Sequence, residues 1–278
     1  FKTSLATIPA ETPYLFSEDS KVSKWKAQLK DSPLPKVGIV WSGQKLHKND
    51  MNRSVSLDLL LPLFDLPFEW HSLQKEYRSS DLEVLNLYPE INQHQSDLQD
   101  FSDTAALIEC MDLVISVDTS VAHLAAAMNK PVWILIPVVP DYRWLLDRTD
   151  SPWYPSVKLF RQTQLGEWSQ VVNRLQGALT EYLHQLAPSS FDYLADNAGL
   201  VEARRIQIQA LQAQSAGDFS EAIRLYKQAV SLQPDCLGAW RGLAQLYLTT
   251  NQLLDAFDTI VPLVEKYPDD ILLRQLFG

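Results

Sequence analysis

Residues able to do chemistry gather at three points of the chain. At the first, the run ISVDTSVAHL places Asp118, Thr119 and Ser120 between an apolar segment and a helix-forming one. The opening N–H groups of a helix lack intrahelical partners and its dipole favours negative charge there, so hydroxyls at such a junction can help hold an anion. His123 follows Thr119 by four residues, which puts both on one helical face. The same residues also suit a plain helix start, with Asp118 or Thr119 as the cap and His123 as packing.

The second point begins at Ser42-Gly43 and runs through Asn49 and Asn52, with Lys45, His47, Lys48 and Arg53 on one short loop. In a chain of net charge −10 this clustering suggests an anion site, although a solvated surface loop also accounts for it. Gly43 lets the backbone turn sharply or approach a ligand closely. The third point is the run from Pro140 to Trp144, where Arg143 sits between two aromatics. It can grip a phosphate, stack on a base, or form a surface cation–π pair. Lys75 and Arg78 add two further cations.

These groups need a scaffold, and the pattern supplies one. Apolar Lys36–Trp41, Phe68–Leu73, the segment 112–117, the segment 131–137 and Val157–Arg161 read as strands, with Leu82–Leu87 as a weaker one. Helical segments fall between them at Ser56–Phe64, 103–111 and 119–128, and Glu167–Leu186 closes the series. Strands alternating with helices predict a parallel sheet covered on both faces, a Rossmann-like α/β domain over 36–186. Ligands of such sheets bind outside the carboxyl ends of the strands, where Gly43, Ser120, Arg143 and Lys75 lie. Residues 1–35, with Pro9, Pro13, Pro33 and Pro35 around one helix at Val22–Lys30, form a lead-in arm.

A linker is expected at 187–198, and beyond it the chain changes character. Ala222 and Ala256 stand 34 residues apart, as do Pro234 and Pro268. The second unit spaces Trp240, Leu243, Ala244 and Tyr247 in the pattern W-x₂-L-[G/A]-x₂-Y. The first keeps Gly217, Ala222, Tyr226, Ala229 and Pro234. This resembles the tetratricopeptide repeat (TPR), so 199–278 is expected to hold two repeats plus a capping helix near 270–277. Such repeats present surfaces for a protein or peptide partner, or serve as a structural extension.

Composition narrows the function classes. The 278 residues carry 24 Lys+Arg against 34 Asp+Glu, which argues against a nucleic-acid surface. No run is long and apolar enough for a membrane span, and a cytoplasmic location is expected. Cys110 and Cys236 are read as small buried residues, with no disulfide framework. The five histidines (His47, His71, His94, His123 and His184) lack metal-ligand spacing, so no metal is expected. Only nine glycines occur, none between Gly43 and Gly166. Dinucleotide-binding and P-loop motifs are therefore absent, and phosphate recognition must rest on hydroxyls, a helix start and cations.

The series VGIVWSG, HKNDMNRS, HSLQK, the run from Asp100 to Pro137 and DYRWLLDRTDSPWYPSVKLFRQ resembles the donor-binding half of bacterial TPR-associated glycosyltransferases. These relate to lipopolysaccharide heptosyltransferases and, more distantly, to O-GlcNAc transferase. The resemblance implies one half of a GT-B fold and an inverting, metal-independent enzyme. It needs no cofactor; its donor is a nucleotide sugar, UDP- or ADP-linked. It further implies that Asp118, Thr119 and Ser120 meet the diphosphate, that His123 lies near the sugar, and that Lys48 neutralises the leaving group, with Lys75 and Arg143 in lesser roles. Heptosyltransferases usually carry Gly where Ser120 stands.

Thirty-five residues before the first strand are too few for the acceptor half. The general base and acceptor are expected from sequence outside this chain or from a partner chain. The alternative is a non-catalytic TPR interaction scaffold with a degenerate glycosyltransferase-like domain. A nucleotide-sugar epimerase, the third reading, needs the glycine-rich loop that is missing.

Overall fold

A computed structural model describes residues 4–29, 32–88, 91–186, 198–234 and 236–267. It divides into two compact units, residues 1–81 with 90–190 and residues 82–89 with 191–278. Residues 187–197 of the expected linker, Pro268 and the expected capping helix lie outside the described residues, and Ala198, expected as the last linker residue, begins a helix.

The first unit is a six-stranded, all-parallel sheet. Its strands are β1 (Lys36–Val40), β2 (Glu69–Ser72), β3 (Asn92–Gln93), β4 (Leu113–Val117), β5 (Val132–Ile136) and β6 (Val157–Arg161), in the order β3-β2-β1-β4-β5-β6. The helices up to residue 186, in chain order, are α1 (Asp19–Gln28), α2 (Asp50–Arg53), α3 (Leu57–Leu60), α4 (Ser79–Leu87), α5 (Phe101–Glu109), α6 (Ser120–Ala127) and α7 (Ser169–Leu186), and all but the 82–87 part of α4 belong to the first unit. All five residues of β4 and all five of β5 are buried, as expected of strands covered on both faces, and apart from Ser116 all ten are apolar. The chain walks outward from β1 to β3, then returns to place β4 on the other side of β1. That reversal opens a crevice between the carboxyl ends of β1 and β4.

The helices that frame the crevice are secured locally. Asp100 caps α5 by accepting from the Ser102 and Asp103 N–H groups at 2.8 and 3.1 Å, while Asp103 accepts back from the Asp100 N–H at 3.3 Å. Lys21 of α1 pairs with Asp103 at 2.7 Å, and the Trp25 indole donates to the Asp103 carbonyl, so α1 is clamped to α5. Trp25, Leu107, Val114, Ala125, Ile134 and Trp144 meet in one core beneath the crevice.

One element differs from expectation. The segment Leu82–Leu87 is helical, inside α4, and the strand on that side is the two-residue β3. Asp81 accepts from the Arg78 N–H at 2.8 Å, a capping contact that starts the helix, and Val84 and Leu85 are buried side by side as a helix allows. Cys236 is buried as expected, but Cys110 is only half-buried, and no disulfide forms among the described residues.

The second unit is helical: α8 (Ala198–Ser215), α9 (Phe219–Leu232), α10 (Leu237–Thr249) and α11 (Leu253–Lys266). Ala203, Ala210, Ala222, Ala229, Ala244 and Ala256 are fully buried, which allows neighbouring helices to approach closely around Tyr226 and Leu246. The repeat is visible in the backbone. Gly217 and Asn251, 34 apart, both take left-handed φ values of +81° and +59°. The N–H groups that follow, of Asp218 and Gln252, both reach back five residues, to Ala213 and Tyr247, at 2.9 and 2.8 Å. Trp240, the repeat's aromatic, donates its indole N–H to the Pro234 carbonyl at 2.9 Å.

Candidate functional site

The crevice between β1 and β4 holds two neighbouring cavities of about 650 and 670 Å³ that share Arg53, Thr119 and Ser120 in their linings. The first is walled on one side by Val40, Leu73, Leu98, Phe101 and Val121, and its polar lining includes Ser42, Gln74, Lys75, Glu76, Asp100 and Thr104. The second is walled by polar groups, among them Asp118, His123, Asp141, Arg143 and Tyr154.

Their common wall starts from two loops. After β4, Thr119 occupies the N-cap position of α6, but its hydroxyl makes no capping bond and instead lies 3.0 Å from the Ser116 hydroxyl. The N–H groups of Ser120, Val121 and Ala122 find no acceptor among the described residues, and Ser120 is exposed at the helix start. The positive end of the α6 dipole therefore opens directly into the cavities.

After β1, the chain turns at Gly43, whose N–H donates to the Ser54 hydroxyl at 3.1 Å. A Cβ at this position would stand 2.3 Å from the Arg53 guanidinium, so the absent side chain is what admits Arg53. Arg53 Nη1 donates to the Asp118 carbonyl at 2.8 Å, joining the two loops, while its Nε has no hydrogen-bond partner among the described residues. The loop is held from below by buried Asp50, which takes the Ser54 hydroxyl at 2.7 Å and Arg78 at 2.5 Å. Gln74 locks the end of β1 by donating to the Ser42 carbonyl at 2.9 Å and accepting from the Ser42 N–H at 3.3 Å.

The expected site residues separate into two groups. Gly43, Asp118, Thr119, Ser120, His123, Lys75 and Arg143 all line one or both cavities. Lys48 does not; its side chain is exposed on the loop, outside both linings. Lys75 donates to the Gln95 and Leu98 carbonyls, which ties the first cavity's wall together. Arg143 lies over the Tyr142 ring at 4.6 Å and bonds Asp141 at 2.7 Å. Its loop is fixed by Arg161, which donates to the carbonyls of Trp144, Leu145 and Arg148.

His123 is half-buried. Its ring stacks on Trp144 at 4.9 Å, Nδ1 lies 3.2 Å from the Tyr154 hydroxyl, and Nε2 lies 3.8 Å from Asp118. Burial pulls its pKa below the usual histidine value; Asp118 opposes that pull and Arg143 adds to it. Burial also raises the Tyr154 pKa, so the phenol keeps its proton.

Sequence reasoning did not single out Arg53, Tyr154 or Tyr14. Arg53 was visible as one of several loop cations, and only its insertion over Gly43 distinguishes it. Tyr154 comes 31 residues after His123, a spacing that carries no periodic signal. Among the described residues, no group of three or more His, Cys, Asp or Glu side chains could hold a metal ion, and no helix is long and apolar enough to cross a membrane.

Residues 98–137 match glycosyltransferase family 9 (heptosyltransferase), a stretch that runs from the first cavity's wall through α5, β4 and α6 to the end of β5 and includes Asp118–His123. Residues 213–276 match the tetratricopeptide repeat. Protein FlbA of Caulobacter vibrioides is 30% identical over 184 residues, which cover 63% of this chain and 30% of that protein. The chain thus spans less than a third of the length of this curated relative. No solved structure matches. The chain combines a Rossmann-like, glycosyltransferase family 9-like α/β domain with tetratricopeptide repeats.

Proposed function

We propose that the first unit is the donor-side half of an inverting, metal-independent glycosyltransferase, with the acceptor and the general base supplied by sequence outside this chain or by a partner chain. The observation that carries this reading is the pair of cavities meeting at Arg53, Thr119 and Ser120. The more apolar one suits a nucleoside and the more polar one a sugar. The diphosphate between them would meet the open N-terminus of α6 and the Arg53 guanidinium.

Breaking the bond between sugar and diphosphate leaves negative charge on the nucleotide. Fixed donors stabilise that charge most effectively when they need no rearrangement. The α6 N–H groups are fixed by the helix, and Arg53 is fixed by Gly43 and the Asp118 carbonyl. This reading gives Arg53 the charge-neutralising part that the resemblance would assign to Lys48. In this reading a cytoplasmic pool supplies the UDP- or ADP-linked donor. The tetratricopeptide unit would recruit a protein or peptide partner.

Calorimetric titration with UDP, ADP and GDP and their sugars tests the donor site. Binding by at least one is expected, with Arg53→Ala and Thr119→Ala each weakening it by about 1.5–3 kcal/mol and Lys48→Ala changing it little. No binding by any of them at millimolar concentration would leave the non-catalytic scaffold as the better reading.

A further inference from the structure

We propose that Tyr154, with Tyr14 of the lead-in arm behind it, holds His123 in the tautomer that carries its proton on Nε2, so that the imidazole presents an uncharged N–H donor to the polar cavity. The use of that donor on a ligand rests on the donor-site reading above; the tautomer itself does not.

The argument is a count of protons along a chain of contacts. A hydroxyl 3.2 Å from an imidazole nitrogen can donate or accept, so the Tyr154–His123 contact alone leaves the tautomer open. The next link decides it. Tyr14 donates its hydroxyl to the Tyr154 oxygen at 3.4 Å. A phenol has one proton; with its oxygen accepting from Tyr14, and with the Asp118 carboxylate favouring a ring proton on the nearby Nε2, Tyr154 directs its own proton to Nδ1 of His123. Nδ1 is then the bare nitrogen, and the ring proton sits on Nε2. The nearest carboxylate oxygen, Asp118 Oδ1, lies 3.8 Å away, beyond hydrogen-bond reach, so the Nε2–H is left to point at whatever fills the cavity.

The surroundings hold this arrangement in place. Trp144, fully buried, stacks under the His123 ring at an interplanar angle of 21°, which resists a ring flip. The arm places Tyr14 by pinning itself to the far end of α6. The Tyr14 and Leu15 N–H groups both donate to the Ala127 carbonyl, at 3.0 and 3.3 Å, and the Thr12 hydroxyl donates to Asn129 at 2.9 Å. The charged groups facing the ring are Asp118 and Asp141, which favour an imidazolium, and Arg143, which opposes it; burial opposes it most strongly. The donor is therefore neutral near pH 7. Its part in ligand affinity persists to lower pH than that of an ordinary histidine titrating near 6.5.

Nitrogen-15 spectra of the His123 ring, recorded without nucleotide, test the proposal. The wild-type chain is expected to show a bare Nδ1 and a protonated Nε2 at pH 7 to 8, with the ring titrating below the ordinary value. In Tyr154→Phe the neutral ring loses the bond that sorts its tautomers, so both forms should be seen and the titration should move up towards the ordinary value. Tyr14→Phe alters a residue more than half exposed and should leave the fold intact while drawing the two nitrogen shifts partway together. A wild-type ring protonated on Nδ1 overturns the proposal, and so do variant spectra identical to wild type. Because no nucleotide is present, failure here is separate from failure of the chain to bind any nucleotide.

Discussion

Arg53 and Gly43 form a single device spread over two residues. The guanidinium can lie across the loop only because position 43 has no side chain, and once there it bonds the Asp118 carbonyl and faces both cavities. Gly43→Ala would place a methyl group within 2.3 Å of the guanidinium, which must then leave. The displaced group is the far end of a flexible side chain, so the cost to the fold is small, about 0.5–1.5 kcal/mol for the lost hydrogen bond. Nucleotide affinity should fall about as far as in Arg53→Ala. Paired denaturant melts and calorimetric titrations on Gly43→Ala check this, and a variant binding like wild type would mean that Arg53 is structural. The residue types around the site were legible in the sequence, since the DTS run, His123 and the cationic loop all carry chemistry in plain view. Which loop cation turns inward was not legible, because that depends on a missing Cβ and on a carbonyl 65 residues away.

At the scale of elements, the parallel sheet was readable because β4 and β5 are mostly apolar runs of strand length, bounded by helical patterns. The segment Leu82–Leu87 was not, because so short an apolar-rich run fits either period; the capping contact from the Arg78 N–H to Asp81, three residues on, settles it as helix. The strand that fills that edge, β3, has two polar residues and no pattern to read. Histidines hold this edge. His71 of β2 is fully buried, its Nδ1 3.0 Å from Nε2 of His94 and the rings stacked at 5.3 Å, with Glu69 beside it at 3.0 Å. Burial, with His94 and Lys36 nearby, pushes the His71 pKa down to about 3, and burial lowers that of His94 as well. A histidine held neutral in the fold but titrating near 6.5 when unfolded takes up its proton more readily in the unfolded chain. Its stabilisation is complete above pH 6.5 and drains away as pH falls towards 3, by about 1.4 kcal/mol per pH unit once below 6.5. Asp100, whose pKa its capping bonds lower to about 2, adds its own loss only below about pH 4. Urea midpoints measured from pH 7 to 4.5 should therefore fall with a shallower slope in His71→Phe than in wild type. Equal slopes would assign the acid sensitivity elsewhere.

For the whole molecule, two separate cores mean that damage to one unit can be read apart from the function of the other. The 34-residue period was legible because each repeat needs small residues at fixed places to let its helices meet. What the period did not reveal is the substitution at the turns, where Asn251 does the left-handed work that Gly217 does one repeat earlier. The tightest point of the helical core is Gly242 of α10, where an added Cβ would lie 2.4 Å from the ring of Tyr226. Unlike Arg53, this neighbour has nowhere to go. Tyr226 is fully buried and its hydroxyl contacts Gln214 at 3.3 Å. Gly242→Ala must therefore overpack the core and should destabilise the helical unit by about 1–3 kcal/mol. Hydrogen exchange resolves the two units separately. Protection is expected to drop across α9 and α10 while β4 and β5 keep theirs, and nucleotide affinity should stay at the wild-type value. Exchange that rises equally in the sheet would show instead that the two cores unfold as one cooperative body.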